Sequence, residues 1–424
     1  MSRPDEPPVA PERLLNRSFV LLWQGQLVSQ LGNQAFLVAA AFWTLEATGS
    51  ASLLGLLMMC SAVPMVVLGP LAGAFADRHS RVAIVVGADL VRGLAVLSLA
   101  GLLVVRPSPP ELAIAWLLAV ALVEGVVGAV FRPAVAALVP DLVPRERVAA
   151  ANSLTQTSAQ AAVMVGQAIG GLAYRWLGAA VLFAVDGTTY LLSALSEAFI
   201  RPRGEPPRRE VRLRDAFGAY RRDAGEGFRY VWRRHGMRGF LGVAAAFNLF
   251  AMPVFVLLPF YVTERLAAGA AWYGFLLAAM GGGSLVGYLA GGAAKLAGTA
   301  RAGVILGLFA TAGTAVALLG AVRLPVIALV LFALLGAASG AINLFVLTLF
   351  QLAAPADMRG RVLGLVVALS AAAAPVGMAL GGVAGDLVTG VHRLYAACGA
   401  ALLVVAAAAA RSAAVRGFLA GAGE

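Results

Sequence analysis

The stretch LAGAFAD (Leu71–Asp77) ends one long apolar run, and the similar stretch LAGGAAK (Leu289–Lys295) ends another. Two further pairs repeat in the same way: VPRERV at Val143–Val148 with ADMRGRV at Ala356–Val362, and GQAIGG at Gly166–Gly171 with GMALGG at Gly377–Gly382. The separations are 211 to 218 residues, close to half of the 424-residue chain. A duplicated unit explains this pattern, and internal repeats of this kind are typical of secondary transporters.

The composition indicates that these apolar runs lie in a lipid bilayer. Hydrophobic residues make up 61% of the chain and charged residues 12%, whereas a soluble domain is about half apolar and about a quarter charged. Since one spanning helix needs roughly 20 apolar residues, we read twelve spans, at 18–43, 51–76, 82–105, 111–139, 147–174, 178–200, 239–263, 271–296, 302–322, 325–352, 361–387 and 391–411. The sequence therefore predicts an all-α integral membrane protein with twelve transmembrane helices in two six-helix pseudo-repeats.

The basic residues predict the orientation of the chain. The net charge is +11, and the basic residues lie mostly in the segments between spans, which argues against a nucleic-acid partner. If the amino terminus is cytoplasmic, 25 basic residues lie in inner segments and five in outer loops. Because basic residues favour the cytoplasmic side, we expect a multi-pass protein of the plasma (inner) membrane with both termini in the cytoplasm.

This topology divides the chain into five units. We expect a cytoplasmic tail at 1–17, a six-helix bundle at 18–200, a basic linker at 201–238, a second six-helix bundle at 239–411 and a cytoplasmic tail at 412–424. Within the linker, Leu213–Trp232 mixes aromatic residues with arginines and acids, as in an amphipathic helix on the inner leaflet. A solvated charged linker is the alternative.

The residues GAFADRHSR (Gly73–Arg81) lie between the second and third spans. This stretch resembles the cytoplasmic loop signature of the major facilitator superfamily, although Val82 stands where a second basic residue is common. The resemblance implies a conformational latch in which Asp77 meets a helix N-terminus or an arginine. The residues assigned to the latch and its gating network are Gly73, Asp77, Arg78, Arg81, Asp89, Arg92 and Arg132. An ordinary basic turn is the alternative.

Longer stretches narrow the resemblance to the macrolide-efflux and enterobactin-exporter branch of drug:proton antiporters. They are GPLAGAFADR, ADLVRG, FRPAVAALVPDLVPRERVAAANSL and RGRVLGL. GQAIGG also resembles the GPxxGG signature of exporters, but Gln167 stands where that signature has proline. Glycines that only pack helices together would give the same pattern.

The resemblance implies a central cavity lined by the first, fourth, seventh and tenth spans and flanked by the second, fifth, eighth and eleventh. The polar candidates for substrate binding on these spans are Trp23, Gln26, Gln30, Asn33, Gln34, Asn152, Gln156, Gln160, Asn248 and Asn343. Five phenylalanines accompany the last two, namely Phe247, Phe250, Phe255, Phe345 and Phe350. Such a cavity suits bulky, amphipathic, weakly charged compounds. Hydrogen bonds between helices, and phenylalanines facing lipid, explain the same residues without a substrate.

Glu124 is an acid near the middle of the fourth span, with Gly125 and Gly128 leaving room beside it. An acid at bilayer depth is costly and marks a functional site by default, and a buried carboxyl takes up a proton more readily than an exposed one. We therefore expect Glu124 to be the proton-coupling carboxylate. The alternative is a static pair with Arg132 on the same helix. Asp186 is expected to form a structural hydrogen bond, to Thr188 or to a neighbouring helix.

Together these features predict a secondary transporter that exports small amphipathic molecules by alternating access, in exchange for protons. The alternative is a siderophore or lysophospholipid carrier of the same fold. A membrane-embedded enzyme is less expected, because His79, His235 and His392 lie in different loops. We expect no catalytic residue, metal or cofactor. The expected partners are the small-molecule substrate, protons and the lipid bilayer, with no nucleic acid, and the expected state is a monomer.

Overall fold

The structure is a computed structural model that describes residues 14–76, 79–105, 110–202, 213–294, 296–355 and 358–421. Within these ranges every regular element is a helix. The α-helices are α1 (Arg17–Thr48), α2 (Ala51–Ala76), α3 (Arg81–Val105), α4 (Pro110–Leu142), α5 (Val148–Glu197), α6 (Leu213–Arg233), α7 (His235–Val256), α8 (Leu258–Phe260), α9 (Ala270–Ala293), α10 (Gly298–Ala321), α11 (Pro325–Ala353), α12 (Arg359–Leu387), α13 (Val391–Arg411) and α14 (Ala413–Ala420). A 3₁₀ turn covers Arg145–Arg147, and a π-helical turn covers Tyr261–Arg265.

Ten helical segments of the described ranges are long and apolar enough to cross a membrane. One of them, Arg145–Glu197, has 53 residues, and this length of helix is roughly 80 Å, more than twice a bilayer core. It is broken at Gly178, whose φ of 72° favours glycine. α5 therefore has a first arm before Gly178 and a second arm after it. The predicted all-α membrane fold is confirmed, and the count of twelve spans stays a prediction.

The helices form two bundles with the same internal packing. In the first bundle α1 packs along α5, α2 along α4, and α3 along the second arm of α5. In the second bundle α7 packs along α12, α9 along α11, and α10 along α13. The order of partners is the same in both bundles, as expected from the repeated stretches of sequence.

The bundles meet along two seams, α5 with α9 and α2 with α12. The closest approaches lie near the face that holds the α1–α2 turn (49–50), which we call the turn face; the opposite face, where α1 begins, is the terminal face. A Cβ on Gly171 would lie 2.6 Å from the carbonyl oxygen of Ala270, and one on Gly382 would lie 2.7 Å from that of Ala51. The last glycine of each repeated motif therefore lies in a seam.

α6 lies against the start of α12 at the terminal face. Arg361 and Glu226 form an ion pair at 2.5 Å, and the Tyr230 hydroxyl donates to a carbonyl oxygen at the end of α11 at 2.9 Å. Phe228 and Trp232 are exposed and stack with their ring centroids 4.9 Å apart. An exposed aromatic pair between arginines is typical of a helix on a membrane surface; that location of α6 stays a prediction.

Glycines allow the backbones of α9 and α11 to touch. A substitution at one of these glycines tests this packing. A Cβ on Gly287 would overlap the carbonyl oxygen of Ala337. We expect Gly287→Ala to lower the free energy of unfolding by about 1–3 kcal/mol, the usual effect of overpacking. Gly307→Ala on α10 is the control, because its Cβ would meet open space. Thermal unfolding in detergent measures both variants, and equal midpoints would contradict the packing described.

Candidate functional site

A group of ionisable side chains lies inside the first bundle, with Glu124 of α4 at its centre. The Nε atom of Arg92, on α3, is 3.5 Å from the Oε2 atom of Glu124. The Tyr190 hydroxyl, on the second arm of α5, donates to the same oxygen at 3.3 Å. Asn33 of α1 donates to the Tyr190 oxygen at 3.1 Å. Four helices thus contribute to one largely buried polar group, the Glu124 group.

Arg92 supplies the positive charge of this group. Its Nη1 atom lies 3.8 Å from Oδ1 of Asp89, and its guanidinium carbon lies 4.5 Å from the ring centroid of Phe131. Asp89 and Arg92 were expected in the gating network of the latch; the structure places them beside Glu124. Because one guanidinium is close to two acids, it keeps a partner when either acid takes up a proton.

Two further acids of the second arm of α5, Asp186 and Glu197, are fully buried, as is Asp89. Glu197 Oε1 accepts a hydrogen bond from Gln26 at 2.8 Å. The two carboxyl oxygens of Asp186 accept no hydrogen bond from the residues that the structure describes. Burial of an ionised carboxylate without a donor is costly. A neutral, protonated carboxyl group at Asp186 carries a smaller cost than an ionised one.

The pairing of Glu124 differs from the alternative of a static pair with Arg132. Across the described ranges its ion pair is with Arg92 of a neighbouring helix, and the Arg132 side chain is exposed. Gly128 does leave room in the group, because a Cβ there would lie 3.0 Å from Nη2 of Arg92. Gly125 does not; it packs against backbone atoms of α2.

Sequence reasoning missed Tyr190 and Glu197. The structural hydrogen bond expected for Asp186, to Thr188 or to a neighbouring helix, is not found among the described residues. The expected hydrogen bond with Thr188 is not formed, because the Thr188 hydroxyl donates to its own helix. Asp186, Tyr190 and Glu197 follow one another at four and seven residues, so they share one helix face. This spacing was the available signal. Glu197 ends an apolar run next to Arg201, where an acid is usually exposed.

The residues predicted to form the latch are only partly described. Residues 77–78, that is Asp77 and Arg78, lie outside the described residues. Gly73 is in the last turn of α2. Arg81 pairs with Asp141 at the end of α4, with 2.5 Å between Nη1 and Oδ2. Arg81 therefore ties the start of α3 to the end of α4 at the terminal face.

Four candidate cavity residues of α1 form hydrogen bonds with α5. They are Trp23, Gln26, Asn33 and Gln34, whose partners are Ser158, Glu197, Tyr190 and Gln167, at 2.8, 2.8, 3.1 and 3.1 Å. Hydrogen bonding between helices, the alternative considered for these residues, therefore accounts for four of them. The remaining candidates of the first bundle are the exposed Asn152 and Gln156 and the half-buried Gln30 and Gln160.

The last two candidates, Asn248 and Asn343, line one cavity of about 280 Å³ inside the second bundle. Ser339 and Ser370 add two hydroxyl groups to its wall. Apolar side chains form much of the rest, including Phe247, Phe255, Met280, Phe309 and Leu335. Of the other expected phenylalanines, Phe345 and Phe350 are buried in the core. The cavity can hold a compound that is mostly apolar and carries a few polar groups.

A family model of the Major Facilitator Superfamily matches residues 22–378. The chain belongs to this superfamily. Macrolide efflux protein A of Streptococcus pyogenes is 27% identical over 242 residues, which are 57% of this chain and only 58% of that protein. The enterobactin exporter EntS of Shigella boydii is 30% identical over 84% of this chain and 82% of the exporter. The predicted superfamily and its efflux branch are confirmed.

A solved structure of a bacterial homologue of the iron transporter ferroportin, in its inward-facing state, has the same fold. The TM-score is 0.69 at 19% identity, over 93% of this chain and 98% of that chain. At this identity the likeness concerns the fold alone. The chain is thus a multi-pass membrane protein of the major facilitator superfamily, and several of its relatives are named as efflux proteins or exporters.

Removal of Arg92 tests the electrostatics of the Glu124 group. We expect Arg92→Met to lower the free energy of unfolding by about 3–5 kcal/mol, the usual effect of removing one partner of a buried ion pair. Glu124→Gln in the same chain should recover part of this loss, because the amide needs no counter-charge. Arg175→Met, at an exposed site, is the control. Thermal unfolding in detergent gives the comparison, and a double variant no more stable than Arg92→Met would contradict the pairing.

Proposed function

We propose that the protein exports small amphipathic molecules, drugs or natural products, in exchange for protons, by alternating access. Membership of the superfamily and relatives named as a macrolide efflux protein and an enterobactin exporter support export. The observation that carries the proton half of the proposal is Glu124, whose side chain is 13% exposed inside the first bundle and has Arg92 and Tyr190 as partners.

Glu124 alternates between two states: ionised and paired with Arg92, or protonated and without that pair. The ionised carboxylate pairs with the guanidinium and accepts the hydrogen bond of Tyr190. The protonated carboxyl no longer attracts the guanidinium, and Asp89, 3.8 Å away, becomes its acid partner. Glu124 lies on α4, whereas Asp89 and Arg92 both lie on α3. Uptake of a proton therefore removes an ionic connection between α3 and α4.

The cavity of the second bundle is the proposed substrate site. Asn248 and Asn343 supply amide groups, and phenylalanines supply apolar surface. The side chains described in its lining carry no charge, which favours neutral or weakly charged parts of a substrate. Protons and substrate then bind in different bundles. The exchange of protons for substrate is then coupled through the position of one bundle relative to the other, as alternating access requires.

A siderophore exporter is the second candidate, and the 30% identity to the enterobactin exporter favours it. It uses the same cavity and the same proton group. Export of an iron-chelating compound by cells that carry the protein, together with no export of a macrolide, would favour this candidate over the first.

The proposed membrane arrangement places the terminal face in the cytoplasm of a plasma membrane. The 25 basic residues of the inner segments, against five in outer loops, support this orientation. The division into units at 1–17, 18–200, 201–238, 239–411 and 412–424 belongs to the same proposal. In this proposal, the segment Gly73–Arg81 is the latch that holds the terminal face shut when the turn face is open.

Transport by Glu124→Gln tests the proton half. Accumulation of a labelled macrolide is measured in a pump-deficient host, with and without a protonophore. We expect the wild-type protein to lower accumulation, the protonophore to cancel this effect, and Glu124→Gln to lose most of the export because an amide cannot exchange a proton. Glu111→Gln, an exposed acid in the first turn of α4, should export normally. Full export by Glu124→Gln with unchanged pH dependence would end the proposal.

Filling the cavity tests the substrate half. Ser339 lines the cavity of about 280 Å³, and Ser339→Phe places a ring in it. We expect loss of macrolide export in the same assay, with unchanged protein level. Leu334→Phe is the matched control, because Leu334 is on an exposed side of the same helix. Export by Ser339→Phe at the wild-type rate would mean that the substrate binds elsewhere.

A further inference from the structure

The amino-terminal end of α2 is capped by a residue of the other bundle. Asp386 of α12 accepts hydrogen bonds from the backbone amides of Ala51 at 2.6 Å and Ser52 at 3.1 Å. It also accepts one from the Ser50 hydroxyl at 2.9 Å. Asp386 and Ala51 are 335 residues apart in the chain. These three hydrogen bonds therefore join the two bundles at the turn face.

The physical chemistry of a helix end makes this contact strong. The first amides of a helix have no partner within it, and the helix dipole places partial positive charge there. A carboxylate that accepts from these amides makes charge-assisted hydrogen bonds, which are stronger than neutral ones. Gly385 lets the α12 backbone approach closely enough, since a Cβ there would lie 2.5 Å from the Cβ of Ala51.

α2 is also able to lose this cap without unfolding. The Ser50 hydroxyl accepts a hydrogen bond from the amide of Leu53 at 3.2 Å, which is the ordinary cap from a residue next to the helix. When Asp386 moves away, Ser50 still caps α2. The amides of Ala51 and Ser52 then bind water, as the first amides of helices commonly do. The connection between the bundles is therefore reversible.

The other seam differs at the equivalent position. GMALGG is followed by VAGD and GQAIGG by LAYR, so Arg175 stands where the second repeat has Asp386. An arginine cannot accept hydrogen bonds from helix amides. α9 begins after Gly269 without a side-chain cap, and Arg175, Glu46 and Gly269 line a cavity of about 710 Å³ at this end of the seam. The carboxylate cap therefore belongs to the α2–α12 seam.

We propose that Asp386 is a clasp that holds the turn face closed, and that its release allows the bundles to part along the α2–α12 seam. The proposal rests on the alternating access of the proposed function. The clasp bonds the two bundles only in the closed arrangement, so it stabilises that arrangement relative to the open one. Its strength therefore sets how often the turn face opens.

Distances between spin labels across the turn face test the clasp. The full-length protein in lipid nanodiscs carries labels at Leu112→Cys in the first bundle and Arg393→Cys in the second, both exposed sites, with Cys60 and Cys398 replaced by alanine. The parent should give mainly a short distance, with a small share of a longer one. Asp386→Ala should add a longer one and raise the ratio of long to short roughly tenfold, the equivalent of about one charge-assisted hydrogen bond.

Two further variants make the result decisive. Asp386→Asn keeps the size of the side chain and removes its charge, so a shift in the same direction shows that the charge matters and that misfolding is not the cause. Glu264→Gln, an exposed acid of the second bundle on the same face, should give the parent distances. Asp386→Ala with the parent distances overturns the clasp.

The macrolide assay separates this proposal from the proposed function. If the wild-type protein exports the macrolide while the distances stay unchanged in Asp386→Ala, the clasp alone fails. If the distances shift while the wild-type protein exports neither a macrolide nor an iron chelator, the proposed function is contradicted and the clasp proposal is supported.

Discussion

The hydrocarbon core of a bilayer contains no water, so each polar group there must find its partner inside the protein. Backbone groups meet this requirement by forming helices, which is why an apolar composition leads to an all-α fold. Charged side chains meet this requirement by pairing with one another: Asp89 and Glu124 both pair with Arg92. The amides of α1 meet it through hydrogen bonds to α5, for example from Gln26 to Glu197. One constraint thus explains both the fold and the position of the Glu124 group.

Close approach of helices is the second determinant of the fold. Glycine allows this close approach at the same positions in both repeats. The glycines at positions one and five of GQAIGG pack against α1, and those of GMALGG pack against α7. The glycine at position six of each motif faces the other bundle, on α9 or on α2. The packing interpretation of these glycines accounts for both motifs. Gln167, which replaces the proline of the exporter signature, donates to Gln34 of α1, so an interhelical hydrogen bond occupies the position at which that proline was expected.

The fold could be predicted from the sequence because apolar runs, repeats and the loop signature are local patterns. Glu124 could be predicted for the same reason: an acid inside an apolar run has few explanations. Its partner could not, because Arg92 lies on another helix, and helical spacing tells which residues share a face but not which helix that face meets. Gln26 shows the same limit. Whether its amide faces a cavity or Glu197 depends on the rotation of α1 about its axis, which no local pattern encodes.

The long helix α5 connects the proton group to a seam. Its second arm carries Tyr190 in the Glu124 group, and its first arm carries Gly171 in the α5–α9 seam. The break at Gly178 would let the arms bend independently, but α1 packs against both: Gly32 of α1 meets the second arm, and Gly166 of the first arm meets α1. Because both arms pack against the one continuous helix α1, bending at Gly178 is restrained, and a change at Tyr190 is passed on to the first arm. Under the proposed exchange, the first bundle therefore moves as one body against the second, and the contacts that must change are those of the two seams.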